Sequence, residues 1–517
     1  MQHRISGPRL GRMLDGWSHG DGTLHERLAT SLRQLIQEGS LPQGTIIPSE
    51  RALSEILGIS RTSVSTVYDD LRGDGWLESR HGSHTWVRRA GDAEARGQGE
   101  YLHSYLTKPE RVIDLTSGAL PGLAMVGEAA QRTASDALPS LLHQSGLLPF
   151  GTELLRTRVA DYYNALGLRT QPEQILITNG SQHALTLLAT MFIEPNDSVL
   201  LENPTYRGAM DAFGMRQARI IPVRTDAQGI DSDDLLDHIR RDSPRLLYVM
   251  PSAQNPTGRT WTDQRRRDVC NLLNSHKLMI IDDGSTSDLL LSGRNPRPLA
   301  CDISENTVFT ISSVTKLFWG GLRVGWIRGP KPVINRLAEL RCAQDLSGSI
   351  PAQLIVSELL PSSDLARSIR RQQLTKSYEI TARLLKNHAP DWKWEDPSGG
   401  SALWIDVQAD AIALCDQFQR IGVRIHPGTL YSATESFRSF IRLPFTGSPE
   451  LLREALKRIS RFRHQNKLSG TRALKKTPPP RETLGPPKCV PIDEGEAFRS
   501  PQTEKPAGIG HGSPTRS

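Results

Sequence analysis

Long apolar runs are missing from this chain. Across 517 residues no stretch approaches the roughly 18–20 consecutive apolar side chains of a membrane-spanning helix, so no membrane partner is expected. The opening MQHRISGPRLGRML is basic but is not followed by an apolar segment, which gives no expectation of a secretory signal and points to the cytoplasm. Cysteine is scarce: the five (Cys270, Cys301, Cys342, Cys415 and Cys489) show no CxxC and no paired spacing, so neither a disulfide framework nor a metal site is expected. A charged front is missing too. The net charge is +7, but residues 1–90 are nearly balanced and the basic excess is clearest in the proline-rich end, so bulk charge is weak evidence for a nucleic-acid partner.

What is present first is helical periodicity. In LHERLATSLRQLIQEG, Leu24, Leu28, Leu32, Leu35 and Ile36 recur at helical spacing. A second helix, SERALSEILG, begins at Ser49 and stops at Gly58. A third takes Ser60 as its N-cap and runs through RTSVSTVYDDLRGDG with Val64, Val67, Tyr68 and Leu71 facing inward. WLESRHGSHTWV then reads as two short strands around a glycine-containing turn. Two helices joined by the tight turn GIS, with a hairpin behind them, make a winged helix-turn-helix over 20–89. Burying Val64, Val67 and Leu71 leaves Arg61, Thr62, Ser63, Ser65 and Thr66 at or near the exposed face, where arginine can read guanine edges and hydroxyls can hold the phosphates of double-stranded DNA. A small protein-interaction module with a solvated polar face would show a similar pattern.

The stretch PSERALSEILGISRTSVSTVYDDLRGDGWLESRHGSHTWV resembles the winged helix of the GntR superfamily of bacterial transcription factors over nearly the whole module. The resemblance implies that Arg51, the recognition-helix start Arg61 to Ser63, and the wing around Gly82 contact the operator. The wing departs at His84, where the superfamily usually has a second glycine.

Residues 90–110 carry small and charged side chains without apolar periodicity and predict a linker. From 111 to 464, short apolar strands (QILIT, SVLLE, RLLYVMP, LMIIDD, TVFTIS) alternate with amphipathic helices, the pattern of an open, mainly parallel α/β sheet that binds ligands at the carboxyl ends of its strands. From 465 to 517, nine prolines and few large apolar residues predict a disordered tail.

Within the α/β region, SSVTKLFWGGLRVGW places Lys316 three residues after Ser313 and seven before Arg323. A lysine that attacks a cofactor carbonyl needs an anchor for the cofactor's charged group and a partner for its ring. ITNGSQHALTLL sets Ser181 and Gln182 where a strand gives way to a helix, whose free N–H groups favour an anion, and Ser313 and Arg323 add a hydroxyl and a cation for a phosphate. Asp283, ending IIDD, can pair with a protonated ring nitrogen, although neighbouring Asp282 is an alternative. Asn255 in QNPTG can donate to a phenolic oxygen, and Tyr206 in NPTY can stack on an aromatic ring.

The order and spacing of this set resemble the fold type I, aspartate-aminotransferase-like family of pyridoxal 5'-phosphate (PLP) proteins over about 111–464. The resemblance implies that Lys316 carries the Schiff base, and that Arg442 in FIRLPF clamps a carboxylate beside the strand in DPSGGSALWID. Where many relatives carry a tyrosine two or three residues after the ring-nitrogen aspartate, this chain has Ser285 and Thr286. Taken together, a multi-domain chain with a winged helix-turn-helix, a linker, an α/β PLP-dependent transferase domain of fold type I and a disordered C-terminal tail resembles the MocR subgroup of bacterial regulators. That resemblance implies a homodimer that binds a DNA operator and senses an amine, an amino acid or PLP itself through aldimine chemistry at Lys316, with any enzymatic activity a residual transamination. Two alternatives remain at this point: a working aminotransferase carrying an accessory winged helix, and a regulator whose large domain has lost PLP.

Overall fold

The computed structural model describes residues 4–14, 17–18, 23–37, 41, 45–73, 76–79, 85–87, 112–293, 297–303, 307–434 and 436–474. The wing tip with Gly82 and His84, the 90–110 linker and the segment beyond 474 lie outside the described residues.

The front module has helices α1 (Gly7–Met13), α2 (Leu24–Gln37), α3 (Glu50–Leu57) and α4 (Arg61–Gly73). Ser49 caps α3 by accepting from the Ala52 N–H, and Gly58 ends it at φ 64°, a left-handed conformation that glycine adopts without strain. Ser60 accepts from the Ser63 N–H at 3.0 Å and starts α4. Leu28, Leu32, Leu53, Val64, Val67, Tyr68 and Leu71 form one buried core, and the Tyr68 hydroxyl is satisfied by the Pro48 carbonyl at 2.9 Å. The hairpin strands β2 (Leu77–Ser79) and β3 (Thr85–Val87) pair antiparallel, and β3 also pairs with β1 (Ile46–Ile47), a two-residue strand too short to register as a period.

The structure moves the start of this module. The sequence places its boundary at 20, yet Ile5, Leu10 and Leu14 belong to the same buried core, and Ile5 donates its N–H to the Ile46 carbonyl at 3.0 Å. With two glycines and two arginines among its seven residues, α1 has too few apolar positions to show a helical period. Ile5→Val should therefore lower the stability of the module by about 0.5–1.5 kcal/mol, read as its unfolding midpoint in denaturant. An unchanged midpoint would mean that the segment is not packed.

After β4 (Ile113–Asp114), the α/β domain builds a sheet from β5 (Ile175–Thr178), β6 (Ser198–Asn203), β7 (Arg219–Asp226), β8 (Gly229–Ile230), β9 (Leu246–Val249), β10 (Met279–Asp283), β11 (Val308–Ser313) and β12 (Gly325–Arg328). Their order is β5-β12-β11-β10-β9-β6-β7-β8. Strands β11, β10, β9, β6 and β7 run parallel, β12 is reversed between β5 and β11, and β8 folds back on β7. Side chains alternate between two cores: Val199, Leu201 and Tyr248 enter one, Leu200, Leu247 and Ile280 the other. Burial on both faces explains why these strands read as continuous apolar runs.

A second sheet, β13 (Lys393–Trp394), β14 (Ala402–Asp406), β16 (His426–Pro427) and β17 (Phe440–Pro444), has the order β13-β14-β17-β16, while β15 (Val423–Arg424) pairs parallel with β4. The last helix is Pro449–Leu474. It passes the expected tail boundary at 465 by ten residues because no proline interrupts the chain before Pro478. Among the described residues, no helix is long and apolar enough to cross a membrane.

Candidate functional site

The carboxyl ends of the parallel strands open into a cavity of about 340 Å³. Ser181, Gln182, Tyr206, Asn255, Asp283, Ser313, Lys316, Arg323 and Arg442 all line it, so the structure brings these candidates of the α/β domain together in one space and leaves out the alternative Asp282.

Lys316 lies in the turn after β11. Its Nζ donates to the Gly118 carbonyl at 3.0 Å. Burial, aided by the nearby Arg442 guanidinium, lowers its pKa from 10.5 to about 8. A substantial fraction of this amine is therefore neutral, and nucleophilic, near pH 7 to 8. Labelling of Lys316 by an amine-selective reagent, followed by peptide mass spectrometry, should rise with a midpoint near pH 8 in the cofactor-free protein. A midpoint near 10.5 would show an ordinary solvated lysine.

The turn is fixed from behind by Arg370. This buried guanidinium donates to the carbonyls of Leu317 and Phe318, each at 2.8 Å, and of Pro121 at 2.7 Å. It thus ties the backbone just after Lys316 to the segment that supplies the Gly118 carbonyl.

Arg442 enters from β17 of the second sheet. It is buried, donates from Nε to Asn255 Oδ1 at 3.1 Å and from Nη1 to the Thr116 carbonyl at 3.2 Å, and its guanidinium carbon lies 5.9 Å from the Tyr431 ring centre. Both hydrogen-bond acceptors are neutral, so its positive charge is not cancelled by a carboxylate through these contacts. A Cβ on Gly118 would lie 2.6 Å from Arg442 Nη2, which explains a glycine there.

The two acidic residues at the end of β10 separate by strand alternation. Asp283 lines the cavity, whereas Asp282 accepts the Leu299 N–H at 2.8 Å. Burial raises the pKa of both, Asp282 to about 6. Asp283 accepts the Tyr248 hydroxyl on Oδ2 at 2.6 Å, and both the N–H and the hydroxyl of Ser285 on Oδ1. These donors offset part of the burial effect and favour the charged carboxylate. Ser285 is thereby committed to Asp283, and Thr286 donates to the Ser252 carbonyl at 3.3 Å.

The other end of the cavity is built for an anion. Gly180, at φ 87°, precedes the helix Ser181–Phe192; a Cβ there would lie 2.9 Å from Arg323 Nη2. A Cβ on Gly325 would fall 2.8 Å from the Ser181 nitrogen, so glycine at 325 lets β12 approach the helix start. Arg323, itself left-handed at φ 51°, donates to the Asn179 carbonyl at 2.8 Å. Ser313 Oγ is buried and has no protein partner, and the same holds for Gln182 Oε1. An orphaned hydroxyl beside a helix start and a guanidinium is what a phosphate monoester would satisfy.

Sequence reasoning missed Thr116, Gly118, Tyr248, Tyr431 and Arg370. Gly118 sits in a run of small residues that signals only a loop, and Tyr248 reads as an ordinary core position of β9.

In the front module, Arg61 and Thr62 are exposed at the start of α4, and Arg51 is exposed on α3, 3.1 Å from Glu55. Ser63 and Ser65 are half-buried. Ser63 Oγ lies 2.8 Å from Ser60 Oγ, and Thr66 donates to the Thr62 carbonyl at 3.0 Å, so these two hydroxyls already serve the helix. Gly82 lies outside the described residues.

Residues 110–459 match the family described as aminotransferase class I and II, and residues 24–87 match the bacterial regulatory proteins of the gntR family. The chain is 25% identical over 450 residues to the uncharacterized HTH-type transcriptional regulator YisV of Bacillus subtilis, covering 82% of this chain and 93% of YisV. It is 26% identical over 396 residues to the probable rhizopine catabolism regulatory protein MocR of Rhizobium meliloti, covering 72% and 79%. Among solved structures it is similar to LysN, an alpha-aminoadipate aminotransferase of Thermus thermophilus complexed with N-(5'-phosphopyridoxyl)-L-leucine, with a TM-score of 0.64, 25% identity, and coverage of 74% of this chain and 99% of LysN.

Proposed function

The chain belongs to the aminotransferase class I and II family and carries a GntR-type winged helix ahead of that domain, and on this premise we propose how it works as a PLP-dependent DNA-binding regulator of transcription. The winged helix binds an operator, and the cavity around Lys316 senses an amine that bears a carboxylate. The observation that carries this reading is the pairing, in one cavity, of a lysine whose pKa is drawn down to about 8 with a buried arginine whose hydrogen-bond acceptors are neutral.

The residues present fit the cofactor. Ser313 Oγ, orphaned in the protein alone, would hold its phosphate together with Ser181 and Arg323, and Asp283 would face its ring nitrogen. Asn255, whose Oδ1 is taken by Arg442, keeps its amide hydrogens for a phenolic oxygen, and Tyr206 offers its ring for stacking. When bound, PLP supplies an aldehyde that captures primary amines reversibly. Lys316 contributes the neutral amine, Asp283 offers a carboxyl group held by three donors, and Arg442 orients an incoming carboxylate.

A ligand changes operator binding only if it favours one arrangement of the DNA-binding modules over another, and two modules on a homodimer would read two half-sites. A chromosomal operator would require the protein to work in the cytoplasm. Ser285 and Thr286, which stand where a tyrosine would donate to the phenolic oxygen, give their hydroxyl protons to Asp283 and to the Ser252 carbonyl instead, and this supports a sensor over an efficient transaminase.

Selection of genomic fragments by the full-length protein, with and without PLP, tests the reading. Enrichment of discrete fragments bearing paired half-sites is expected. Equal recovery of all duplexes together with rapid keto-acid production from amino acids would replace the regulator with an enzyme.

A further inference from the structure

Resting on the DNA-binding reading above, we propose that the segment Arg4–Leu14 is a built-in DNA-contacting arm, with Arg4 binding a backbone phosphate of the duplex beside Arg51 and Arg61. The match to the gntR family begins at residue 24, so this segment precedes it.

The arm is fixed to the module. Arg4 bridges Ile46 in parallel, Ile5 donates to the Ile46 carbonyl at 3.0 Å, and Ile5, Leu10 and Leu14 are buried in the module's core. Its glycines allow close approach to α3: a Cβ on Gly7 would lie 2.2 Å from Ile56 Cδ1, and one on Gly11 would lie 2.6 Å from Ile56 Cγ2.

Docked this way, the arm forms one wall of a cleft of about 640 Å³. Arg4 and Ser6 come from the arm, Ser49 and Arg51 from the start of α3, and Arg61 from the start of the recognition helix. Arg4 is exposed, and among the described residues neither it nor Arg61 has a salt-bridge partner. Arg51 is shared with Glu55 at 3.1 Å, and Glu50, which also lines the cleft, is held by Arg72 at 3.3 Å. Three guanidiniums and the hydroxyls of Ser6, Ser49 and Thr85 around one concavity call for a polyanion, and duplex DNA supplies about one negative charge per 1.7 Å of its axis. Arg4 is carried on backbone paired to a strand rather than on the helix that enters the groove, a position suited to a phosphate and not to a base edge.

The test compares wild type, Arg4→Ala and Arg4→Lys as full-length, cofactor-loaded proteins. Each binds two fluorescent duplexes, one selected by the wild type from a random pool and one of scrambled sequence, across a potassium chloride series. In Arg4→Ala the slope of log affinity against log salt should become shallower by about 0.9 per bound module, one phosphate contact each and so about 1.8 for a dimer on two half-sites, with an equal fold-loss on both duplexes. Arg4→Lys should restore the slope. Because Arg4 is exposed, the thermal transition should not move. A wild-type slope and affinity in Arg4→Ala overturns the arm, and a loss confined to the selected duplex overturns its assignment to phosphate. A wild type that binds neither duplex overturns the DNA-binding reading and the arm together.

Discussion

Lys316→Ala should lose covalent capture of PLP completely while keeping its fold. Among the described residues that line the cavity, Lys316 is the sole lysine, so no other side-chain amine there can take its place. The variant incubated with PLP should lack the absorption band of a lysine Schiff base, keeping at most the aldehyde band of cofactor held without a covalent bond, and reduction with borohydride should leave the peptide spanning 312–326 unlabelled. Folding should survive because the substitution removes a cation that is partly desolvated and lies near Arg442. The hydrogen bond it gives up, to the Gly118 carbonyl, faces a cavity that water can enter. Unliganded DNA binding should also survive, whereas the response to an amine effector should vanish. A retained Schiff-base band, or a label on another peptide, would show that a different lysine carries the chemistry.

The sheet advertises its site in the amino-acid sequence. Strands buried on both faces appear as apolar runs, and the polar residues cluster at their carboxyl ends, Asp282 and Asp283 on one strand and Ser312 and Ser313 on the next. The choice of Asp283 over Asp282 came from the family resemblance and was not legible in the strand pattern itself. Alternation puts them on opposite faces, but which face holds the cavity depends on how β10 packs between β9 and β11. Contacts between distant segments left no trace either: Arg370 reaches the Lys316 turn from a helix more than fifty residues later, and the Gly118 carbonyl comes from nearly two hundred residues earlier. The docked arm was silent for a different reason. Two glycines that permit close packing look, in a one-dimensional pattern, like loop residues.

Arg442→Ala should weaken the response to a carboxylate-bearing amine by about 1.5–3 kcal/mol, roughly 10- to 140-fold, the range for hydrogen bonds to a charged group. Asn255 and Thr116 already hold the guanidinium in place, so an arriving carboxylate meets an ordered partner. A second consequence separates the loss of a clamp from general damage to the site. The Arg442 charge disfavours the protonated form of Lys316, so its removal should raise the lysine's pKa above about 8. Burial is the larger cause of the depression and persists in the variant, so the pKa should stay below 10.5. The pH midpoint of Lys316 labelling should therefore move upward, while PLP uptake at the Ser313 and Arg323 end stays close to wild type. Were PLP itself the effector, Arg442→Ala would leave the operator response nearly unchanged and Arg323→Ala would abolish it. Titrating operator binding by both variants, with PLP and with amino acids in turn, distinguishes a sensor of amino acids from a sensor of the cofactor, because the two guanidiniums serve opposite ends of the same cavity.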